Sequence, residues 1–341
     1  MKNILIALLL LSTGCATATK PATGTITAVK TPRTFDAELS NYQYPFPVSY
    51  FSLHSQKQNL KMAYMDIPAG KASDNQEKVI VLFHGKNFPG AYFEQVILGL
   101  NQEGYRVIVP DQIGFGKSSK PHHYQFSFQT LAHNTHELLK NLKVEKFTLL
   151  GHSMGGMLAS RYTLMYPEQI KKLILVNPIG LEDWKTLTTY RNIDEAFKNE
   201  LASTPEKLKQ YQLDNYYDGK WKPEYDKWLE IPKGWLADAD YPVIAWNAAL
   251  TSDMIFTQPV VYEFKNIKTP TVLILGQRDR TAIGKAWAPP ETKEKMGNYP
   301  ALGKQVTKTI PKAKLVELPK LGHMPFIEDF EAFWMALIKN L

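Results

Sequence analysis

The chain has 341 residues, 44% hydrophobic and 21% charged, a length near two domains at about 150 residues each and a composition outside the disordered range. A folded unit of this size buries well over half of its unfolded surface, so its core needs no metal or disulfide; the single cysteine, Cys15, excludes an internal disulfide and a cysteine-rich zinc site. The net charge is +7, but the basic residues are scattered along the chain, so nucleic acid is not an expected partner. No His-x-His or His-Glu-x-x-His run occurs among the eight histidines, and neither a metal nor a cofactor is expected.

At the amino end, Lys2, the apolar run 4–11 and the small residues after it have the three regions of a secretory signal peptide, read here as residues 1–18. The run is too short for a bilayer, which takes about 20 apolar residues, so export is the expectation. Ser12-Thr13-Gly14-Cys15 resembles a bacterial lipobox, with serine where leucine is usual; it would make Cys15 a lipidated residue and the protein a membrane-tethered lipoprotein of the periplasm. Ala16-Thr17-Ala18 offers an ordinary signal-peptidase exit instead. Residues 19–42, rich in Thr, Ala, Pro and Lys, read as a tether.

From residue 47 onward short apolar segments alternate with amphipathic ones, the arrangement that yields a mostly parallel sheet with helices on both faces. Residues 48–53 and 60–66 read as an opening hairpin. Strands follow at 79–83, 106–110, 147–150, 173–176, 272–275 and 314–318, and helices at 92–102, 128–142, 154–165 and 326–338. That makes a sheet of about eight strands. In residues 181–264 the strand rhythm stops and aromatics crowd in, among them Trp184, Tyr216, Trp228 and Trp246. This segment reads as a helical cap inserted between two parts of one core, residues 43–180 and 265–341. An insertion after a sheet strand lies over the carboxyl ends of the strands, where open α/β sheets bind ligands.

Gly151-His152-Ser153-Met154-Gly155 follows one expected strand directly and precedes an expected helix. That context turns G-x-S-x-G into a nucleophile elbow, a turn too sharp for side chains at Gly151 and Gly155, which lifts Ser153 outward. A serine hydroxyl is a weak nucleophile at neutral pH and needs a base, and the base needs an acid to hold its tautomer. His323, in Leu321-Gly322-His323 after the last strand, is the candidate base. Asp279, in Gly276-Gln277-Arg278-Asp279 after the strand at 272–275, is the candidate acid; Asp183 and Glu182 are the alternatives. His84 and His152 are read as braces, without a proton-transfer role.

These motifs, with Phe83-His84-Gly85-Lys86 and Pro110-Asp111-Gln112-Ile113-Gly114-Phe115-Gly116-Lys117-Ser118, resemble the α/β-hydrolase fold superfamily, in its capped branch of serine esterases, carbon-carbon hydrolases, epoxide hydrolases and haloalkane dehalogenases. The resemblance runs from about residue 47 to the carboxyl end. It implies an oxyanion hole from the backbone N–H groups of Lys86 and Met154. Epoxide hydrolases and dehalogenases carry an aspartate at the elbow, so Ser153 implies acyl transfer: a carboxylesterase-like serine hydrolase of small to medium apolar esters, working through an acyl-enzyme without a cofactor. A lactonase, an amidase or aminopeptidase, and a carbon-carbon hydrolase share the same triad. A non-catalytic ligand-binding or sensor protein is the reading from another class.

Overall fold

The structure, a computed structural model, describes residues 33–70 and 78–341; the signal-peptide segment, Cys15 and most of the expected tether lie outside the described residues. Strands β1 (Val48–Ser55) and β2 (Gln58–Ile67) form the expected hairpin and run further than the alternation implied. Gln56 and Lys57 make its turn with φ of 52° and 62°. Two successive left-handed residues match the right-handed twist of the strands, although neither is the glycine or asparagine usual there.

Strands β3 (Lys78–Phe83), β4 (Tyr105–Pro110), β5 (Phe147–His152), β6 (Ile170–Val176), β7 (Thr271–Gly276) and β8 (Ala313–Leu318) complete an eight-stranded sheet in the order β1-β2-β4-β3-β5-β6-β7-β8. β2 runs against both of its neighbours, and the pairings from β4 to β8 are all parallel. β5 and β7 are buried at every position, as strands covered on both faces must be. Alternate residues of β3 serve two cores: Val81 and Phe83 pack with Leu149 and Leu273, whereas Ile80 and Leu82 pack with Leu150 and Ile274.

Helices α1 (Glu94–Gln102), α2 (Phe128–Asn141) and α3 (Met154–Met165) flank the first parallel strands, and a 3-10 turn at Gly90–Phe93 leads into α1 where a continuous helix from residue 92 was expected. Between β6 and β7 the described elements are helical: α4 (Ile193–Leu201), α5 (Pro205–Asn215), α6 (Glu230–Leu236) and α7 (Tyr241–Thr257), with short 3-10 turns. α8 (Pro290–Lys293) and α9 (Tyr299–Thr309) precede β8. The single helix expected over 326–338 is two, α10 (Pro325–Glu328) and α11 (Phe330–Ile338). They part at Asp329, whose extended backbone (φ −154°) lets its carboxylate cap α11 by accepting the Ala332 N–H at 3.1 Å.

The tether expected over 19–42 ends sooner than composition suggested. Phe35 and Leu39 are fully buried, the Phe35 N–H donates to the Gly234 carbonyl at 3.1 Å, and the Trp235 indole donates to the Asp36 carbonyl at 3.0 Å. A Cβ on Gly234 would lie 2.1 Å from the Phe35 ring, so α6 comes this close only because that residue is glycine. The segment continues to Tyr44, whose hydroxyl donates to Asp111 at 2.6 Å. Asp111 also accepts the N–H groups of Gly90 and Lys117, at 2.7 and 2.8 Å. One buried carboxylate thus joins three separate stretches of chain, and each donor helps offset the cost of keeping it out of water.

Candidate active site

Each residue singled out at the elbow stands at the carboxyl edge of the sheet. β5 ends at His152, Ser153 takes φ 56° and ψ −123°, and α3 begins at Met154. A Cβ on Gly151 would fall 2.2 Å from the Gly155 carbonyl oxygen, and one on Gly155 would fall 2.2 Å from that of Phe83. Both contacts are with backbone that cannot step aside, which gives the two glycines their steric reason. The left-handed Ser153 is costly for a residue with a Cβ and is held by its N–H to Val176 O at 3.2 Å, and by the Gly156 and Ile179 N–H groups on its own carbonyl.

His323 Nε2 lies 3.0 Å from Ser153 Oγ, and His323 Nδ1 lies 2.7 Å from Asp279 Oδ2. All three side chains are buried, Asp279 completely. A carboxylate can only accept, so Nδ1 carries the proton and Nε2 turns its lone pair toward the serine hydroxyl. Such a chain can draw the proton from Ser153 and stabilise the imidazolium that results. Arg278 and Arg280 do not compete for Asp279: Arg278 pairs with Glu328 and with Asp218 at 3.1 Å, and Arg280 donates to the Gln277 and Asp279 carbonyls. Asp183 bonds Lys185 N and Tyr262 Oη, and Glu182 bonds Gly297 N and the Trp184 indole, so both alternatives are engaged away from His323.

Asn177 was not among the expected site residues. It follows β6 directly, at φ 37°, and its amide donates to Asp279 Oδ2 at 2.8 Å while its own oxygen accepts Gly276 N–H at 2.9 Å. Thr281 N–H donates to the other oxygen, Oδ1, at 2.8 Å. Asp279 therefore accepts three N–H donors, which together hold its carboxylate in place. A lone asparagine after a strand carries no local signal for this role.

Lys86, the expected first oxyanion donor, lines the same cleft as Ser153 and His323. Gly85 before it packs so tightly that a Cβ there would sit 3.1 Å from that of Ser153. His84 accepts Gln112 N–H on Nε2 at 3.0 Å and donates Nδ1–H to Gly85 O at 2.8 Å. The carbonyl and N–H of one trans peptide point in opposite directions, so fixing Gly85 O fixes the direction of Lys86 N–H. Met154, the expected second donor, opens α3, and its N–H has no carbonyl partner within the helix. Burial lowers the pKa of His84, so it braces the loop as a neutral ring.

His152 braces from the other side. Gly85 N–H donates to Tyr92 Oη at 2.9 Å, Tyr92 Oη–H donates to His152 Nδ1 at 2.8 Å, and His152 Nε2–H donates to the His323 carbonyl at 2.8 Å. Desolvation, followed by the repulsion of His323, holds the His152 pKa well below the usual histidine value, so the ring stays neutral and this polarity is fixed. Tyr92 is thus a second residue that the sequence did not single out. Above the base, the Tyr216 ring stacks on His323 at 5.0 Å, its hydroxyl accepting from Asn87 Nδ2 at 2.7 Å.

The triad cleft, lined also by Ile179, Tyr211, Thr281 and Ile283, has about 30 Å³ of open space. Among the described residues no group of three or more His, Cys, Asp or Glu could hold a metal; His133 and His136, three apart on α2, bond Tyr166 and Gln169.

The fold has counterparts among known proteins. A probable hydrolytic enzyme of known structure from Pseudomonas aeruginosa PAO1 is 49% identical, with a TM-score of 0.88 over 91% of this chain and 98% of that one. Lipase 3 from Moraxella sp. (strain TA144) is 28% identical over 76% of this chain and 78% of its own length. An esterase from Thermogutta terrifontis, 21% identical, shares the fold with a TM-score of 0.63 over 85% of this chain and 97% of that one. Residues 78–330 match the profile of the alpha/beta hydrolase fold, a stretch that holds β3 to β8, the elbow, Asp279 and His323. On that match the chain belongs to the alpha/beta hydrolase fold family and is a hydrolase.

Proposed function

We propose that this protein is a serine carboxylesterase that cleaves esters of small to medium apolar substrates through an acyl-enzyme. The observation that carries the reading is the hydrogen-bonded chain Ser153–His323–Asp279, at 3.0 and 2.7 Å, at the strand ends of this fold. Ser153 Oγ attacks the ester carbonyl carbon while His323 Nε2 takes its proton. The negative charge moves to the carbonyl oxygen, where the N–H groups of Lys86 and Met154 would receive it. When the tetrahedral species collapses, the C–O bond to the alcohol breaks and His323 returns the proton to the departing oxygen. Water then repeats the sequence on the acyl group and regenerates Ser153.

Helices α4 to α7 serve as a cap in this reading, because Tyr211 of α5 and Tyr216 just after it line the triad cleft. The Lys86 ammonium lies 3.4 Å from the Glu200 carboxylate of α4, a contact between the oxyanion loop and the cap. Each methylene buried in an apolar site contributes about 0.8 kcal/mol, so kcat/KM should rise with acyl length until the chain meets the cap and then fall. A panel of p-nitrophenyl esters with Ser153→Ala as control tests this. A lipase reading is favoured by the names of the Moraxella and Psychrobacter immobilis relatives, at 28% and 27% identity. Long-chain esters as the best substrates, with a jump in rate at the emulsion surface, would establish it instead.

We also propose export with lipid on Cys15. Labelled palmitate should enter the protein and be absent from Cys15→Ser; a mature chain that starts at Thr19 without lipid contradicts this.

A further inference from the structure

The triad cleft as it stands has about 30 Å³ of open space, well below the range of a small-molecule site. Beside it lies a larger cavity, of about 360 Å³, a size ordinary for small-molecule sites. The two share Asn87 and Phe88, the residues directly after Lys86. The partition is thin and specific. Asn87 Nδ2 reaches Tyr216 Oη at 2.7 Å, and Phe88 stacks on Tyr92 at 5.3 Å and meets Tyr216 at 6.1 Å and Trp228 at 6.2 Å. Tyr216 in turn lies on His323, so the Asn87–Tyr216 hydrogen bond and the rings of Phe88 and Tyr216 stand between His323 and the larger space.

Tyr42, Phe88 and Trp228 offer aromatic surface to this cavity, and Ile231 and Pro232 of α6 add aliphatic surface. Its two charged residues, Glu94 and Lys227, have opposite signs, and the Lys227 ammonium lies 4.4 Å over the Trp228 ring. Neither a cation nor an anion is selected, whereas a flat apolar ring would meet aromatic faces suited to stacked or edge contact. Part of the wall comes from residues 42–45, which continue the amino-terminal segment, and part from α6, which that segment grips through Phe35.

We propose that this cavity is a substrate subsite for an uncharged ring, aryl or alicyclic, carried on one side of the scissile ester and reached when Asn87 and Phe88 part from Tyr216. The proposal rests on the esterase reading, and the test separates the two. The ratio of kcat/KM for a ring-bearing ester to that for ethyl acetate is measured in wild type and in Ile231→Trp, which fills the cavity from the side away from the triad. Naphthyl acetate carries the ring in the alcohol and methyl naphthylacetate carries it in the acyl group. One of the two ratios should fall by about tenfold or more, and the one that falls tells which side of the ester occupies the cavity. Equal ratios in variant and wild type for both esters overturn the proposal.

A second measurement needs neither turnover nor that variant. In Ser153→Ala holding naphthyl acetate or methyl naphthylacetate, nuclear Overhauser contacts from ring protons to the Ile231 methyl groups support the subsite, even if Ser153 proves unreactive and the esterase reading fails. Contacts confined to Ile179 and Ile283 of the triad cleft overturn it, whatever the activity.

Discussion

The side-chain amide of Asn177 donates at 2.8 Å to Oδ2 of Asp279, the oxygen that also receives Nδ1–H of His323. Asn177 thereby fixes the carboxylate that bonds His323 without bonding His323 itself. Asn177→Ala should lower kcat by about 10- to 100-fold with a smaller change in KM, because the triad loses alignment and the cleft keeps its lining. Rescue of most of the activity by Asn177→Gln would show that any amide nearby suffices and would contradict a role for this geometry.

Asp279→Asn should cost on the order of 10⁴-fold in kcat, since an amide there can offer its N–H to Nδ1 and hold the wrong tautomer. Asp183→Asn should leave kcat within about twofold, because Asp183 bonds Lys185 N and Tyr262 Oη and takes no part in the Ser153–His323–Asp279 chain. Steady-state kinetics on both variants decide the matter, and the reverse order would move the acid to the end of β6.

Burial lowers the pKa of Lys120 from 10.5 to about 7, with Asp111 opposing that shift, while its ammonium donates to the Gly116 and Ser118 carbonyls. Between those two values the unfolded chain binds a proton that the folded chain lacks, so stability from this group rises with pH above about 7, and the full penalty applies below it. The urea midpoint of wild type relative to Lys120→Met should therefore increase between pH 7 and pH 9. A difference that stays constant across that range would contradict the burial of this amine.

The elbow and the candidate base and acid were legible because each lies on the short loop or turn that follows a strand, so a local pattern fixes its place at one edge of the sheet. The paired glycines 151 and 155 were legible for a related reason, since sterics at the turn act within a few residues. Asn177, Tyr92 and Tyr216 were not, because their partners Asp279, Gly85 and His323 are distant in sequence and nothing local encodes the meeting. The run from Phe35 to Tyr44 hid for another reason. Its three buried residues, Phe35, Leu39 and Tyr44, stand among exposed or half-buried ones, most of them polar, so composition read as tether what packing against α6 and Asp111 makes part of the fold.

In the proposed reaction His323 and Asp279 activate Ser153 as a nucleophile. Incubation with a fluorophosphonate, followed by peptide mapping, tests it most directly, because only an activated serine reacts quickly with such a reagent. One adduct is predicted, on the peptide that carries Ser153, with labelling slowed by orders of magnitude in His323→Ala and absent in Ser153→Ala. No adduct at Ser153 in the folded wild-type protein, or labelling at the same rate without His323, would contradict the account.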